Sequence, residues 1–421
     1  MEKPADLPFN PKSPTLMHLD LNSCFATIEQ QANPLIRGKP VAVAAYTSPN
    51  GCIVAPSVEA KRLGVKVGMR VKDGRMLCPD LVVVSPDPNK YRAVHLQLKQ
   101  LLGSYTDKIT PKSIDEFVLD LEGAPAFRLG MRELGREIKR RIREEIGDWL
   151  TVSVGIGPNR FLAKTAAGLK KPDGLEQIDN TNYLQVYTGL ALTDLAGIKL
   201  NNTVRLNNLG IFTVMDFYLA DIPVLKAAFA SVLGYYWYLR LHGFEVDDAV
   251  FARKSYGNSF SLPRPFSSLE ELSPILQKLV EKMGFRMRRA GYRARGVHVG
   301  VLYRDWGHWH RGHVQPEVVF DSRDIYKAAL RILSGSPYRK PVHTLAVSCF
   351  DLVAGAHLQT TLLDDIAKKD NLVRVLDAVN ERWGNFVITP AHMLAIPGRY
   401  VPDRVAFGGI KELEEIVLGS G

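Results

Sequence analysis

Three carboxylates in two short segments are the residues of this sequence best suited to do chemistry. Asp20 lies inside the apolar segment 16–21, where a lone acid is costly to bury unless a cation neutralises it. Asp115 and Glu116 lie between two segments that are typical of short strands. If the strands bring the three carboxylates together, their repulsion requires divalent cations, and Mg²⁺ prefers oxygen ligands and is commonly shared with substrate phosphates. Two such ions would stabilise both the attacking and the leaving oxygen of a phosphoryl displacement. Each acid taken singly is also typical of a turn or a local ion pair.

The elements that must position these acids alternate between strand and helix patterns. The pattern predicts a fold that is α/β or α+β in its first half, because the order is strand, helix, hairpin, helix, strand, helix. Short helices follow, and a second region reads strand, helix, strand, turn, strand, helix, strand. The predicted ranges are strands at 16–21, within 108–121 and at 151–156, helices at 89–104, 126–146 and 158–169, short helices over 181–245, and the second region over 257–352.

Composition limits the class of protein. The chain has 421 residues, of which 46% are apolar and 23% charged, so about three globular domains are expected and wholesale disorder is excluded. It contains no apolar run of the roughly 18 residues that a membrane span needs. Its four cysteines show no CxxC spacing, which argues against a zinc ribbon or a disulfide scaffold and predicts a cytoplasmic protein.

The positive charge is concentrated in one part of the chain. The net charge is +10, and residues 253–345 hold 17 Lys and Arg against 7 Asp and Glu, which leaves 37 bases and 37 acids elsewhere. Clustered cations indicate a polyanionic partner, although a solvated basic face is an equally good interpretation. Arg286, Arg289 and Arg293 are spaced as one stripe beside the apolar face of a predicted helix. The nearby segment 305–313, which contains three histidines, is interpreted as a hairpin turn in preference to a metal site.

Four ordered motifs resemble the Y-family DNA polymerases. The resemblance runs in order and spacing from about residue 15 to residue 250, and more loosely to about residue 390. The matching segments are Met17–Phe25 for the first palm motif, Gly51–Ala55 with Glu59–Val65 for the fingers, Ser113–Glu116 for the SIDE motif, and Thr151–Lys164 with Lys171–Gly174 for the following strand and helix.

The resemblance implies an α+β multidomain fold, shaped as a right hand. Its parts would be a ferredoxin-like palm, small fingers, a helical thumb, an α/β little-finger domain that binds DNA, and a tail with a sliding-clamp peptide. The implied ranges are 1–31 and 85–180 for the palm, 32–84 for the fingers, 181–245 for the thumb, 246–256 for a linker, 257–352 for the little finger, and 353–421 for the tail with its peptide at Gln359–Leu363.

The resemblance also implies roles for individual residues. Asp20, Asp115 and Glu116 would hold two Mg²⁺ ions together with the backbone carbonyl of Leu21. Phe25 would be the steric gate that excludes ribonucleotides, although a buried core aromatic is the alternative interpretation.

Two lysines would contact the incoming triphosphate, Lys171 before a Pro-Asp-Gly turn and Lys61 in the fingers segment. Many members of the family carry a tyrosine and an arginine where this chain has Val58 and Lys61. A lysine neutralises phosphate as a point charge, but it does not form the bidentate fork of an arginine.

The function implied is template-directed, error-prone DNA polymerisation for translesion synthesis, in which a primer 3′-hydroxyl attacks a dNTP. Primer–template DNA, dNTP and a sliding clamp would be the partners, and a monomer is expected. Two alternatives are a nucleotidyl cyclase that shares the palm carboxylates and a non-catalytic relative that binds DNA and the clamp.

Overall fold

The computed structural model describes residues 7–249, 252–337, 339–354, 364–384, 386–396 and 401. The described residues up to 249 form one compact unit, and those from 252 onward form a second. Within the described part, no helix combines the length and the hydrophobicity that crossing a membrane requires. The predicted clamp peptide, Gln359–Leu363, lies outside the described residues.

The first unit combines two sheets with eleven described helices. Its strands are β1 (Leu16–Leu21), β2 (Val41–Ala44), β3 (Ile53–Pro56), β4 (Val82–Val84), β5 (Ile109–Pro111), β6 (Glu116–Asp120), β7 (Val152–Gly157) and β8 (Leu175–Gln177). Its helices are α1 (Cys24–Ala32), α2 (Val58–Arg62), α3 (Val71–Leu77), α4 (Pro88–Gly103), α5 (Met131–Arg141), α6 (Arg160–Leu169), α7 (Tyr183–Thr188), α8 (Leu200–Asn207), α9 (Val214–Leu219), α10 (Ile222–Phe229) and α11 (Leu233–Leu241).

The larger sheet places β1 at its centre. Its strand order is β5-β6-β1-β7-β8, and β1 runs antiparallel to both of its neighbours. Because side chains alternate along a strand, Met17, Leu19 and Leu21 enter the main core of this unit, while Asp20 lies on the opposite face. Helix α6 covers that opposite face, where Leu16 packs with residues of β6 and α6.

Two glycines of β7 allow α6 to approach the sheet closely. A Cβ atom on Gly155 would lie 2.0 Å from the carbonyl oxygen of Ala163, and one on Gly157 would lie 2.5 Å from the backbone nitrogen of Ala163. No side chain fits at either position, so the helix backbone rests directly on the strand. This contact brings the polar side chains of α6 within reach of the carboxylates on β1 and β6.

The smaller sheet has the order β3-β2-β4 and belongs to the segment predicted as fingers. Its core joins β2 and β3 to α2 and α3. Helices α7 to α11 enclose a separate aromatic-rich core over the segment predicted as a thumb. The short helices predicted for residues 181–245 are confirmed.

The prediction of one continuous helix over residues 126–146 is wrong. The chain forms a short 3₁₀ turn at Pro125–Leu129, and α5 begins only at Met131. Gly130 separates the two at a φ of 80°, a left-handed conformation that a regular right-handed helix does not contain. After Arg141 the segment Ile142–Ile146 continues as a wider π turn, in which Ile142 remains buried.

The second unit is a four-stranded antiparallel sheet with helices. Its elements are β9 (Ser255–Phe266), α12 (Leu269–Arg289), β10 (Tyr292–Tyr303), β11 (His308–Val319), α13 (Ser322–Ser334), β12 (Val342–Ala354) and α14 (Asp364–Trp383). The strand order is β11-β10-β12-β9, and α12 and α13 pack on the sheet to form a single apolar core. The element order predicted for residues 257–352 is confirmed. The hairpin turn predicted over residues 305–313 is shorter than expected, because it ends at Gly307 and the three histidines lie on β11.

The predicted stripe of three arginines beside the α12 helix is wrong. The helix ends at Arg289, so Arg293 is the second residue of β10, and its Nη2 lies 2.9 Å from Oδ1 of Asp370 on α14. Arg289 lies 3.6 Å from Glu381, also on α14. Arg286 donates a hydrogen bond of 2.7 Å to the carbonyl of Gly257. These guanidinium groups therefore contact their own chain and do not form a free basic face.

Candidate active site

Strand pairing brings the predicted carboxylates to one end of the central sheet. In the antiparallel register of β1 and β6, Asp20 lies directly opposite Glu116, so both side chains are on the same face. The backbone N–H of Leu21 donates to the carbonyl of Asp115 at 3.0 Å. The structure therefore places the side chains of Asp20 and Glu116 side by side and the backbone of Asp115 against Leu21, while the three ligand atoms that lie within 4.8 Å of one another do not include one from Asp115.

The turn before β6 presents Asp115 from a sheltered position. The N–H of Lys112 donates to the carbonyl of Glu116 at 2.8 Å, which closes the turn, and the hydroxyl of Ser113 donates to the Asp115 carboxylate. Burial raises the pKa of Asp115, the Ser113 hydrogen bond opposes that rise, and the charges of Asp20 and Glu116 add to it. A carboxylate held beside two others is therefore costly to ionise until a cation joins the group.

Two lysines neutralise part of this negative charge. The Nζ atom of Lys164, on α6, lies 2.8 and 2.7 Å from the two carboxylate oxygens of Glu116. Lys171, in the loop after α6, forms an ion pair with Asp20. The close contact of α6 with Gly155 is what places Lys164 over β6, so its role depends on tertiary packing. Lys164 was not among the predicted site residues, although its position on the helix after a glycine-containing strand is a signal visible in the sequence.

A third lysine reaches the same cluster from the smaller sheet. Burial lowers the pKa of Lys61, the positive charge of Lys171 lowers it further, and Asp20 and Asp115 oppose the change. Helix α2 is anchored by Ser57, whose hydroxyl oxygen accepts hydrogen bonds from the N–H groups of Ala60 and Val41 at 3.2 and 3.1 Å. The ammonium groups of Lys61, on α2, and of Lys171, in the loop after α6, are near enough for their charges to interact. Such a cationic pair favours an anionic ligand.

Asn22 joins the end of β1 to the loop that carries Lys171. Its side-chain amide donates to the hydroxyl of Ser153 at 2.9 Å, and its amide oxygen accepts from the backbone N–H of Asp173 at 2.8 Å. The residue is only 4% exposed, so these bonds are shielded from water. Asn22 was not among the predicted site residues, although an asparagine directly after an apolar strand is a signal that its amide needs partners.

Phe25 is placed in the core of the unit. Its ring is 2% exposed and stacks on Tyr91 with a centroid separation of 4.3 Å and an interplanar angle of 12°. The hydroxyl of Tyr91 donates to Glu29 at 2.9 Å, which fixes the orientation of that ring. Phe25 lies on α1, which begins three residues after Leu21, so it remains next to the carboxylate end of β1. Its role as a steric gate stays a prediction.

The donor set fits a divalent cation. His18, Asp20 and Glu116 each offer one ligand atom, and these atoms lie within 4.8 Å of one another, the single such group of three found in the described part of the chain. Burial lowers the pKa of His18 to about 3, with Lys164 adding to the effect, so the imidazole is neutral. Neither ring nitrogen of His18 has a hydrogen-bond partner among the described residues. Carboxylate oxygens dominate the group, which favours a hard cation.

The sequence matches a known family over most of its length. The profile of the impB/mucB/samB family matches residues 19–168, and the profile of its C-terminal domain matches residues 253–362. The chain is 32% identical over 403 residues to DNA polymerase IV of Moorella thermoacetica, covering 94% of this chain and 98% of that protein. It is 30% identical over 386 residues to DNA polymerase IV 1 of Bacillus subtilis, covering 90% and 92%.

Solved structures give the same assignment. A Y-family DNA polymerase chimera aligns with a TM-score of 0.71 and 26% identity, covering 80% of this chain and 99% of that one. An insertion ternary complex of Dbh DNA polymerase aligns with a TM-score of 0.56 at the same identity and coverage. With the carboxylates gathered at the end of β1, these matches show that the chain belongs to the Y family of DNA polymerases and is a DNA-directed DNA polymerase of the translesion type.

Proposed function

We propose that this chain adds dNTPs to a primer 3′-hydroxyl by a two-metal mechanism, with two Mg²⁺ ions held by Asp20, Asp115, Glu116 and the Leu21 carbonyl. The observation that carries the proposal is the register of β1 with β6, which sets Asp20 opposite Glu116 and ties Leu21 to the backbone of Asp115. Bound Mg²⁺ would supply charge stabilisation for the attacking and leaving oxygens of the phosphoryl transfer.

The protein residues bind and orient the reactants. Lys61 and Lys171 carry the cationic pair that a triphosphate would neutralise, and their proximity is supported by the Lys61 pKa, which burial lowers and the positive charge of Lys171 lowers further. Asn22 holds the loop of Lys171 against the sheet through the N–H of Asp173. Lys164 contacts both oxygens of the Glu116 carboxylate and holds that side chain in place, and the same oxygens would be the ones that bind a metal ion.

The proposed polymerase activity implies ligands, a protein partner and a cellular location. The structural relatives include a ternary complex of Dbh DNA polymerase, which supports primer–template DNA and dNTP as the ligands of this chain. We further propose that Gln359–Leu363 docks on a sliding clamp, that the chain acts as a monomer, and that it works in the cytoplasm.

The test is primer extension on an undamaged and an abasic template with Mg²⁺. We expect the wild type to extend both primers and Asp115→Ala to lose extension on both, because this half-buried carboxylate is a proposed metal ligand. DNA binding, measured by anisotropy, is expected to remain. Glu122→Ala is the matched control, since Glu122 is an exposed acid of the same unit.

Extension by Asp115→Ala at the wild-type rate would remove the two-metal assignment. Absence of extension by the wild type under all metal conditions would favour the non-catalytic alternative. Replacing Mg²⁺ by Ca²⁺ separates binding from chemistry, because Ca²⁺ accepts the same oxygen ligands with a looser geometry.

A further inference from the structure

The turn between β10 and β11 presents an exposed tryptophan. The Trp306 side chain is 74% exposed, and its backbone has a φ of 65°, in the left-handed region that bulky residues rarely adopt. Because the indole is exposed and the backbone of Trp306 has an unfavourable φ, this residue does not contribute to the packing of the second unit. A surface aromatic of this kind indicates a binding role.

The turn is held in a fixed conformation. The N–H of Trp306 donates to the carbonyl of Tyr303 at 3.1 Å, and the N–H of Tyr303 donates to the carbonyl of Gly307 at 2.8 Å. Asp305 accepts from the N–H of Gly307 at 2.9 Å and from Lys340 at 3.0 Å. Because backbone and side-chain bonds both close the turn, the indole is presented by a rigid support, and little ordering is needed on binding.

Exposed basic residues lie in and beside the turn. Arg304 and Arg339 are exposed, as is Lys340, while Asp305 is the one acid of the turn and is paired with Lys340. The N–H of Arg304 donates to the carbonyl of Pro341 at 2.9 Å, which joins the turn to the start of β12. The ring of His343 lies 5.7 Å from that of Trp306 and widens the aromatic surface. An exposed aromatic ring on a turn that has exposed guanidinium and ammonium groups in it and beside it is complementary to a nucleobase flanked by phosphates.

We propose that this turn binds single-stranded DNA, with an unpaired base stacked on Trp306 and the neighbouring phosphates contacted by Arg304, Arg339 and Lys340. Bases in a duplex are already stacked on each other, so the indole discriminates in favour of single strands. The inference rests on the proposed function, in which the template ahead of the primer is unpaired.

The test measures binding to oligothymidylate and to a duplex by fluorescence anisotropy, with the Asp115→Ala variant as the background so that no synthesis occurs. Loss of base stacking in Trp306→Ala is expected to weaken single-strand affinity by about tenfold while duplex affinity stays within about twofold. Trp306→Phe keeps a ring and is expected to retain most of the affinity. Trp383→Ala is the control, because Trp383 is 66% exposed at the end of α14 and has no proposed role.

Trp306→Gly separates binding from folding. Glycine adopts a φ of 65° without strain, so this variant is expected to unfold at the same or a higher temperature than the parent while it loses single-strand affinity. Unchanged single-strand affinity in both Trp306→Ala and Trp306→Gly would overturn the proposal, and so would equal losses for single strand and duplex. Primer extension by the wild-type catalytic site is scored separately, so its failure would refute the proposed function without deciding the binding result.

Discussion

Asn22 gives the sharpest test of how the fold supports the site. Asn22→Ala removes an amide that is 4% exposed and bonded to the Ser153 hydroxyl and to the N–H of Asp173. Each buried polar group left without a partner costs about 1–3 kcal/mol. Because Ser153 is fully buried and Asp173 is half-buried, we expect the free energy of unfolding of the first unit to fall by about 2–4 kcal/mol.

The same substitution is expected to weaken dNTP binding. The loop of Lys171 loses its bond to the end of β1, so the lysine no longer has a fixed position beside Asp20. Loss of one charge-assisted contact corresponds to an increase of about tenfold in the KM for dNTP, with a smaller change in kcat. Denaturant unfolding followed by circular dichroism gives the stability, and single-nucleotide incorporation gives the kinetics.

Two further variants make the result interpretable. Asn22→Asp keeps an oxygen for the N–H of Asp173 and a second oxygen that accepts from Ser153, so it is expected to retain more stability than Asn22→Ala. Asn180→Ala removes an exposed asparagine, whose contact with Pro11 measures 3.5 Å, and is expected to change neither quantity. An Asn22→Ala variant as stable as the wild type, or one that is destabilised with an unchanged KM for dNTP, would contradict the role given to Asn22.

Three other perturbations have defined outcomes. Phe25→Ala is expected to admit ribonucleotides in a dNTP-versus-rNTP incorporation assay and to lower stability by about 3 kcal/mol; retained discrimination would assign Phe25 to core packing alone. Arg288→Ala is expected to destabilise the second unit by about 3 kcal/mol in denaturant unfolding, because it leaves Asp377 without its two 2.7 Å hydrogen bonds; a loss as small as that of an exposed pair would contradict this. Burial raises the pKa of Glu281 above its ordinary value of 4.5, so its ionisation opposes folding as pH increases. Glu281→Gln is therefore expected to gain thermal stability over the wild type as pH rises above about 4.5, and a constant difference across pH would refute the assignment.

The sequence predicted the carboxylates because their environment is local. An acid inside an apolar strand and an acid pair at a hairpin are visible without knowing any tertiary contact. The ordered motifs then predicted that Asp20, Asp115 and Glu116 belong to one site. The boundaries of β1, α4 and β7 also agreed with prediction to within one residue, since each element has its own periodicity.

The residues that support the carboxylates were not predictable in the same way. Lys164 reaches Glu116 only because α6 rests on Gly155, and His18 faces the acids only because β1 is paired on both sides. Both facts are properties of packing between elements distant in sequence. A lysine on a helix or a histidine in a strand has many alternative environments, and only the register and the helix-to-sheet distance select one of them.

The distribution of positive charge along the sequence differs from its distribution on the folded second unit. The basic window 253–345 was counted without the acids of α14, yet Asp370, Asp377 and Glu381 neutralise arginines of α12 and β10. These acids lie seven and four residues apart, close to two turns and one turn of a helix, so they form one stripe that a count over a window does not reveal. The positive charge available to a polyanion is therefore that of the basic residues that are not paired with acids of α14. The exposed Arg304, in the turn that carries Trp306, is one of these residues. A substitution such as Arg304→Gln, which removes an exposed guanidinium, is accordingly expected to reduce the salt dependence of single-strand binding, whereas Arg293→Gln is expected to reduce stability first.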